Sequence, residues 1–199
     1  MSTFDEQAWW GDCANTFHEE EKQLVYASRM GLWADWSGGH PPSFDCAGQS
    51  VLDIGGGPAS LLLKCVDFKC ATVLDPGLWP GWVEARYLEH GVSYMRTPAE
   101  SWHPDRIYDE VWVYNTLQHV GDPEQVLAVA RVAGKMIRLF EWIDIPPYPG
   151  HPHKLTKELL DEWLQGDGFI AELDERGAVG RAYYGVFTTE GRATLGGGL

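Results

Sequence analysis

Two hydrophobic periods alternate along this chain. Short apolar runs of strand length occur at 51–54, 70–74, 92–95, 111–114, 133–141, 169–173 and 181–188. They are rich in Val, Ile and aromatics and are bounded by Gly, Pro and Asp, as strands are. Between them the spacing turns helical. The stretch 59–66 is apolar, and 78–90 carries Trp79, Trp82, Val83, Tyr87 and Leu88 before Gly91. Asp122 and Pro123 open a stretch with Val126, Leu127, Val129 and Ala130 on one side, as an N-cap followed by a first-turn proline would. Thr156 opens another, with Leu160, Trp163 and Leu164 inward. Strands alternating with helices predict an α/β fold with a mostly parallel sheet. The last two runs, joined by a turn at 175–180, predict a closing antiparallel hairpin.

An extension precedes this repeat. Residues 1–36 hold Trp9, Trp10, Trp33 and Trp36, four of the ten tryptophans, and 19–32 reads as an amphipathic helix. Its aromatics either pack the extension onto the core or cover a ligand; Trp10 and Asn15 are the candidate pocket contacts. Residues 1–45 are read as a helical extension or lid, 46–190 as the main domain and 191–199 as a flexible tail.

The chemistry begins at Val51-Leu52-Asp53-Ile54-Gly55-Gly56-Gly57-Pro58. A strand ends in three glycines, which let the backbone turn sharply and admit a ligand against bare main chain. A helix is expected next, giving a nucleotide-type site at its N-terminus. Asp53 qualifies this: a carboxylate before the glycines repels phosphate and favours a cationic ligand. Asp75 ends the second strand 22 positions later (75 − 53), where a carboxylate can accept ribose hydroxyls. Asp75-Pro76-Gly77 is equally a turn-forming sequence.

These residues resemble motifs I and II of the class I (Rossmann-like) S-adenosylmethionine-dependent methyltransferases. The segments Leu117-Gln118-His119-Val120-Gly121-Asp122-Pro123 and His153 to Leu160 resemble the type-11 small-molecule group. The resemblance covers about 46–189 and implies a doubly wound, mostly parallel seven-stranded sheet. It implies S-adenosylmethionine as cofactor, held by Asp53, Ile54, Gly55, Gly56, Gly57, Asp75 and Pro76. Ala99, Glu100 and Trp102 would lie beside the adenine, and Asn115 and Gln118 near the methyl donor, with Trp10 covering the site. In Thr97-Pro98-Ala99-Glu100, Pro98 stands where the family often has an acid. His153, His151 and Tyr114 are the candidates for a general base; His119 reads as a buried histidine holding its loop.

Composition narrows the partners. The formal charge is −14, with only 15 Lys and Arg. A nucleic-acid binder needs a basic footprint, so a small-molecule substrate is expected instead. No run of about 18 apolar residues reads as a membrane span. The acidic, polar N-terminus is unlike a signal peptide, and Cys13, Cys46, Cys65 and Cys70 show no metal-ligand spacing, so a cytoplasmic protein with reduced thiols and no metal is expected. Two other classes stay open: a nicotinamide-dependent oxidoreductase and a non-catalytic S-adenosylmethionine-binding module.

Overall fold

Strands buried on both faces read as unbroken apolar runs, because helices cover the sheet on each side. The computed structural model of the chain describes residues 3–38 and 42–189. Its helices and strands run α1 (Thr3–Trp10), α2 (Phe17–Arg29), β1 (Ala34–Asp35), β2 (Ser43–Asp45), β3 (Ser50–Ile54), β4 (Cys65–Val66), β5 (Cys70–Leu74), α3 (Gly81–Glu89), β6 (Val92–Met95), β7 (Tyr108–Tyr114), α4 (Pro123–Ala133), β8 (Gly134–Trp142), α5 (Lys157–Leu164), β9 (Phe169–Glu175) and β10 (Ala178–Thr188). Seven strands form one sheet in the order β6-β5-β3-β7-β8-β10-β9. The first five are parallel, and β10 pairs antiparallel with both β8 and β9. The Rossmann-like architecture with its closing hairpin is therefore as expected.

The pleat divides the core in two. Val51, Val73, Trp112, Phe140 and Trp142 face α2 and α3, packing with Leu24, Tyr26, Met30 and Tyr87. Leu52, Ile54, Val113, Ile137 and Leu139 face α4 and α5, with Val126, Leu127, Leu160 and Leu164. So α2, from the extension, shares the core of the sheet. The Tyr26 ring stacks on Phe140 at 4.3 Å. Arg138 locks the end of α2 down: it makes a bidentate pair with Glu110 (both contacts 2.7 Å) and donates to Met30 O at 2.7 Å. Such planar, charge-assisted pairing fixes orientation as well as energy.

Local signals set the helix starts. The Asp122 carboxylate accepts from Gln125 N at 3.0 Å with Pro123 in the first turn, and Thr156 Oγ1 accepts from Leu159 N at 3.4 Å.

One expected helix is missing. Residues 59–66 form a single 3₁₀ turn (Leu61–Lys64) and then β4. Fifteen residues (55–69) join β3 to β5, and the first five of them are spent on the turn at 55–59. The Ser60 side chain accepts from Leu62 N and turns the chain early, and β4 pairs with β2 in an unforeseen small sheet, β1-β2-β4. The final hairpin is tighter than expected: its turn centres on Arg176 and Gly177, both with positive φ, and the strands extend to Glu175 and from Ala178. Residues 191–199, read as a tail, lie outside the described residues.

Candidate active site

The carboxyl ends of β3, β5 and β7 open onto one cavity of about 300 Å³, the size of a small ligand site. Open α/β sheets bind ligands at this edge, where the strand order reverses beside β3.

The glycine turn is required by its surroundings. Gly55 has φ +77°, and a Cβ there would sit 2.3 Å from the Thr116 side chain. A Cβ on Gly56 would sit 2.6 Å from Asp53 Oδ2. Gly55, Gly56, Gly57 and Ile54 all line the cavity, so its floor is main chain.

Asp53 does not line it, contrary to the expected direct role toward a cationic ligand. The pleat puts its side chain on the Val51 face, beneath the turn and fully buried. Oδ2 accepts from Ser60 Oγ at 2.5 Å and from Tyr114 OH at 2.7 Å. Burial pushes its pKa up to about 7, against the lowering effect of these two bonds. Tyr87 OH donates to Gly57 O and accepts from Ser60 N, both at 2.8 Å, completing a polar cradle under the turn.

Asp75 lines the cavity with Pro76. Its Oδ2 accepts from Gly57 N at 3.1 Å, clamping β5 to the glycine turn. Its Oδ1 accepts from Gly77 N (2.8 Å), Trp79 Nε1 (2.9 Å) and Tyr94 OH (3.1 Å). Oδ2, with one donor, keeps the spare capacity for a ligand hydroxyl.

At the opposite wall stand Pro98, Ala99 and Glu100. Glu100 Oε1 accepts from Gly121 N at 2.8 Å, so it ties two rim loops together. Trp102, expected beside the base, is buried in the core under α4 and does not line the cavity. Asn115 does line it, in a left-handed conformation with φ +51°. Gln118 lies behind it, donating to Asn115 Oδ1 at 2.9 Å, and does not line the cavity either.

Sequence reading missed Glu141, at the end of β8. Its Oε1 accepts from Thr116 N (2.9 Å) and Leu117 N (3.0 Å), fixing the loop that carries Asn115. Complete burial pushes its pKa up to about 8 despite those two donors.

The two histidines expected as general bases do not line the cavity. His153 contacts Val120 O at 2.8 Å, and His151 stands 3.1 Å from Tyr148 OH; neither lines the cavity. Burial, with His119 beside it, holds His151 down at about 4. Tyr114 lines the cavity, but its hydroxyl is committed to Asp53 and to Leu61 N. His119 is the histidine on the wall. Its Nδ1 lies 3.0 Å from Gly150 O, which fixes that nitrogen as the donor and makes Nε2 the acceptor, with Gln118 Nε2 3.4 Å from it. Burial lowers its pKa, so the ring is neutral near pH 7.

The extension closes the cavity with Trp10, Glu19, Gln23 and Tyr26. Trp10 was expected; Asn15 is exposed and does not line the cavity. The signal for the other three was their spacing of 19, 23 and 26 on one helical face, continuing the apolar stripe with polar residues. Among the described residues, the finished wall holds three carboxylates (Glu19, Asp75 and Glu100) and neither Lys nor Arg. Among the described residues no group of three or more His, Cys, Asp or Glu could hold a metal ion.

No family model and no curated protein matches the sequence. Solved structures match the fold over nearly the whole chain. A chain in the complex of the Haloferax volcanii Trm112 methyltransferase activator with a putative methyltransferase is 13% identical, with TM-score 0.63 over 92% of this chain and 96% of that one. The N-methyltransferase NodS of Bradyrhizobium japonicum, in complex with S-adenosyl-L-homocysteine, is 14% identical, with TM-score 0.60 over 94% and 98%. The 1,6-didemethyltoxoflavin-N1-methyltransferase of Burkholderia thailandensis, with bound 1,6-didemethyltoxoflavin and S-adenosylhomocysteine, is 14% identical, with TM-score 0.59 over 94% and 83%. At such identities the likeness is one of fold, and function is argued from the site.

Proposed function

We propose that this chain transfers a methyl group from S-adenosylmethionine to a small-molecule nucleophile. The observation that carries the reading is the cavity's chemistry: a bare glycine floor, Asp75 at the second strand's end, and a wall of three carboxylates without Lys or Arg among the described residues. A cationic nucleoside suits that wall. The pyrophosphate of a nicotinamide dinucleotide does not, and the glycine turn leads into one 3₁₀ turn, not into an α-helix whose dipole would hold a phosphate. The bound states of NodS and the toxoflavin methyltransferase support the same cofactor.

In this reading Gly55, Gly56 and Gly57 admit the donor's amino-acid end, Asp75 Oδ2 accepts a ribose hydroxyl, and Pro98 and Ala99 flank the base. When bound, S-adenosylmethionine supplies an electrophilic methyl group. Trp10, Tyr26 and Tyr114 exclude water, and the rigid loop held by Glu141 fixes the acceptor's approach; alignment of this kind supplies much of a displacement rate. Where the acceptor must lose a proton, His119 is the histidine on the cavity wall in place of His151 and His153, and its Nε2 would exchange the Gln118 amide contact for the substrate's proton. The charge of −14 supports a small molecule over nucleic acid. Four free cysteines support a reducing compartment, the cytoplasm.

The test is calorimetric titration with S-adenosylmethionine, S-adenosylhomocysteine and NAD. Binding of the first two alone is expected. Binding of NAD alone would replace the reading with an oxidoreductase, and tight binding without turnover on any acceptor would leave a binding module.

A further inference from the structure

One wall of the cavity owes nothing to the strand motifs. Glu19 and Gln23 lie one helical turn apart on α2, and both face the cavity. Gln23 Nε2 donates to Ala59 O at 2.5 Å. That bond fixes the amide's orientation, so the other atom, Oε1, is an acceptor. Oε1 is buried and has no partner, and Gln23 is only 6% exposed. Glu19 is 8% exposed, lines the same cavity and pairs through Oε1 with Lys22 Nζ at 2.5 Å. Ala59 directly follows Gly57 and Pro58, so this pair of acceptors stands over the glycine turn.

A buried acceptor without a donor is a standing cost unless a ligand brings the donor. Two adjacent acceptors, one of them charged, match a group with several N–H bonds and a positive charge. We propose that Glu19 and Gln23 form the subsite for the α-ammonium group of the methyl donor, so that they supply the negative charge the sequence reading credited to Asp53. The inference rests on S-adenosylmethionine being the donor. It makes α2 a part of the cofactor site, anchored to the sheet through Arg138, and not a detached cover.

The probes are S-adenosylhomocysteine and 5′-methylthioadenosine, which share the nucleoside but differ in the amino-acid end. Calorimetry on Glu19→Gln should show S-adenosylhomocysteine weakened about 10- to 100-fold, the range of a charge-assisted hydrogen bond. Binding of 5′-methylthioadenosine should stay within about twofold. Gln23→Met should show the same split, and it serves if Glu19→Gln fails to fold. Equal weakening of both probes would make these residues shape-keepers of the site and overturn the proposal. No change in either would overturn it too, moving Glu19 to the acceptor. Failure of the wild-type protein to bind either probe would instead remove the cofactor itself, and is thereby distinct.

Discussion

Replacing Glu141 by Gln tests whether a buried carboxyl under the β7 loop is neutral in the folded protein. Burial raises its pKa from an ordinary 4.5 to about 8. Between those values the folded chain keeps a proton that the unfolded chain has released. Stability from this group is therefore complete below about pH 4.5 and is lost as pH rises through about 8. Over that window the loss is roughly 5 kcal/mol at RT ln 10 per pH unit. The amide that Glu141→Gln introduces would have no proton to lose, and its oxygen would still accept from Thr116 N and Leu117 N. Near pH 5 the variant should match the wild type to within about 1 kcal/mol, the cost of an amide N–H₂ without an acceptor. Near pH 9 it should be the more stable by several kcal/mol, a gap of about 10 °C or more in Tm for a chain of this size. Asp53, held up at about 7 by burial, changes stability in the same direction but is common to both proteins and cancels in the difference. Thermal melts of the two proteins from pH 5 to 9 make the measurement. Curves that stay parallel across the range would refute a protonated Glu141.

Other consequences follow from single contacts. Gly55→Ala puts a Cβ 2.3 Å from Thr116 at φ +77°, so melting and titration should show about 2 kcal/mol or more lost in stability, with nucleoside binding lost too. Asp75→Asn should weaken S-adenosylhomocysteine about 10- to 100-fold by calorimetry, because a charged acceptor for a hydroxyl becomes a neutral one. Asp53→Asn should change that affinity less than about threefold, since the side chain lies beneath the turn; a larger loss would return Asp53 to the ligand. Asp122→Ala removes the cap on Gln125 N and should cost about 1 kcal/mol in chemical denaturation.

Much of this protein is local and therefore legible in its sequence. The strands at 51–54 and 70–74 are mostly apolar because both faces of the sheet are covered there, and that needs no partner to recognise. Asp122-Pro123 and Thr156 start helices by capping N–H groups within three residues of themselves. Gly55 and Gly57 announce a turn because only glycine is at ease at their φ values. Asp75 sits at a strand's end, where any parallel sheet would put a ligand.

What tertiary structure decided involves distance along the chain or competition for space. The helix expected at 59–66 gave way to one 3₁₀ turn and a strand that pairs with β2, and α2, from far upstream, covers that face of the sheet instead. Asp53 was credited with the cavity's charge, yet strand alternation places it with Val51, beneath the turn. The carboxylate that does reach the cavity over the glycine turn is Glu19, from a helix whose position depends on Arg138, Glu110 and the Tyr26–Phe140 stack. Likewise His119 reaches the wall, while His151 and His153 are held behind it by Tyr148 and Val120 O. A sequence shows which side chains carry chemistry; which of them meet in one cavity is set by the packing of segments more than a hundred residues apart.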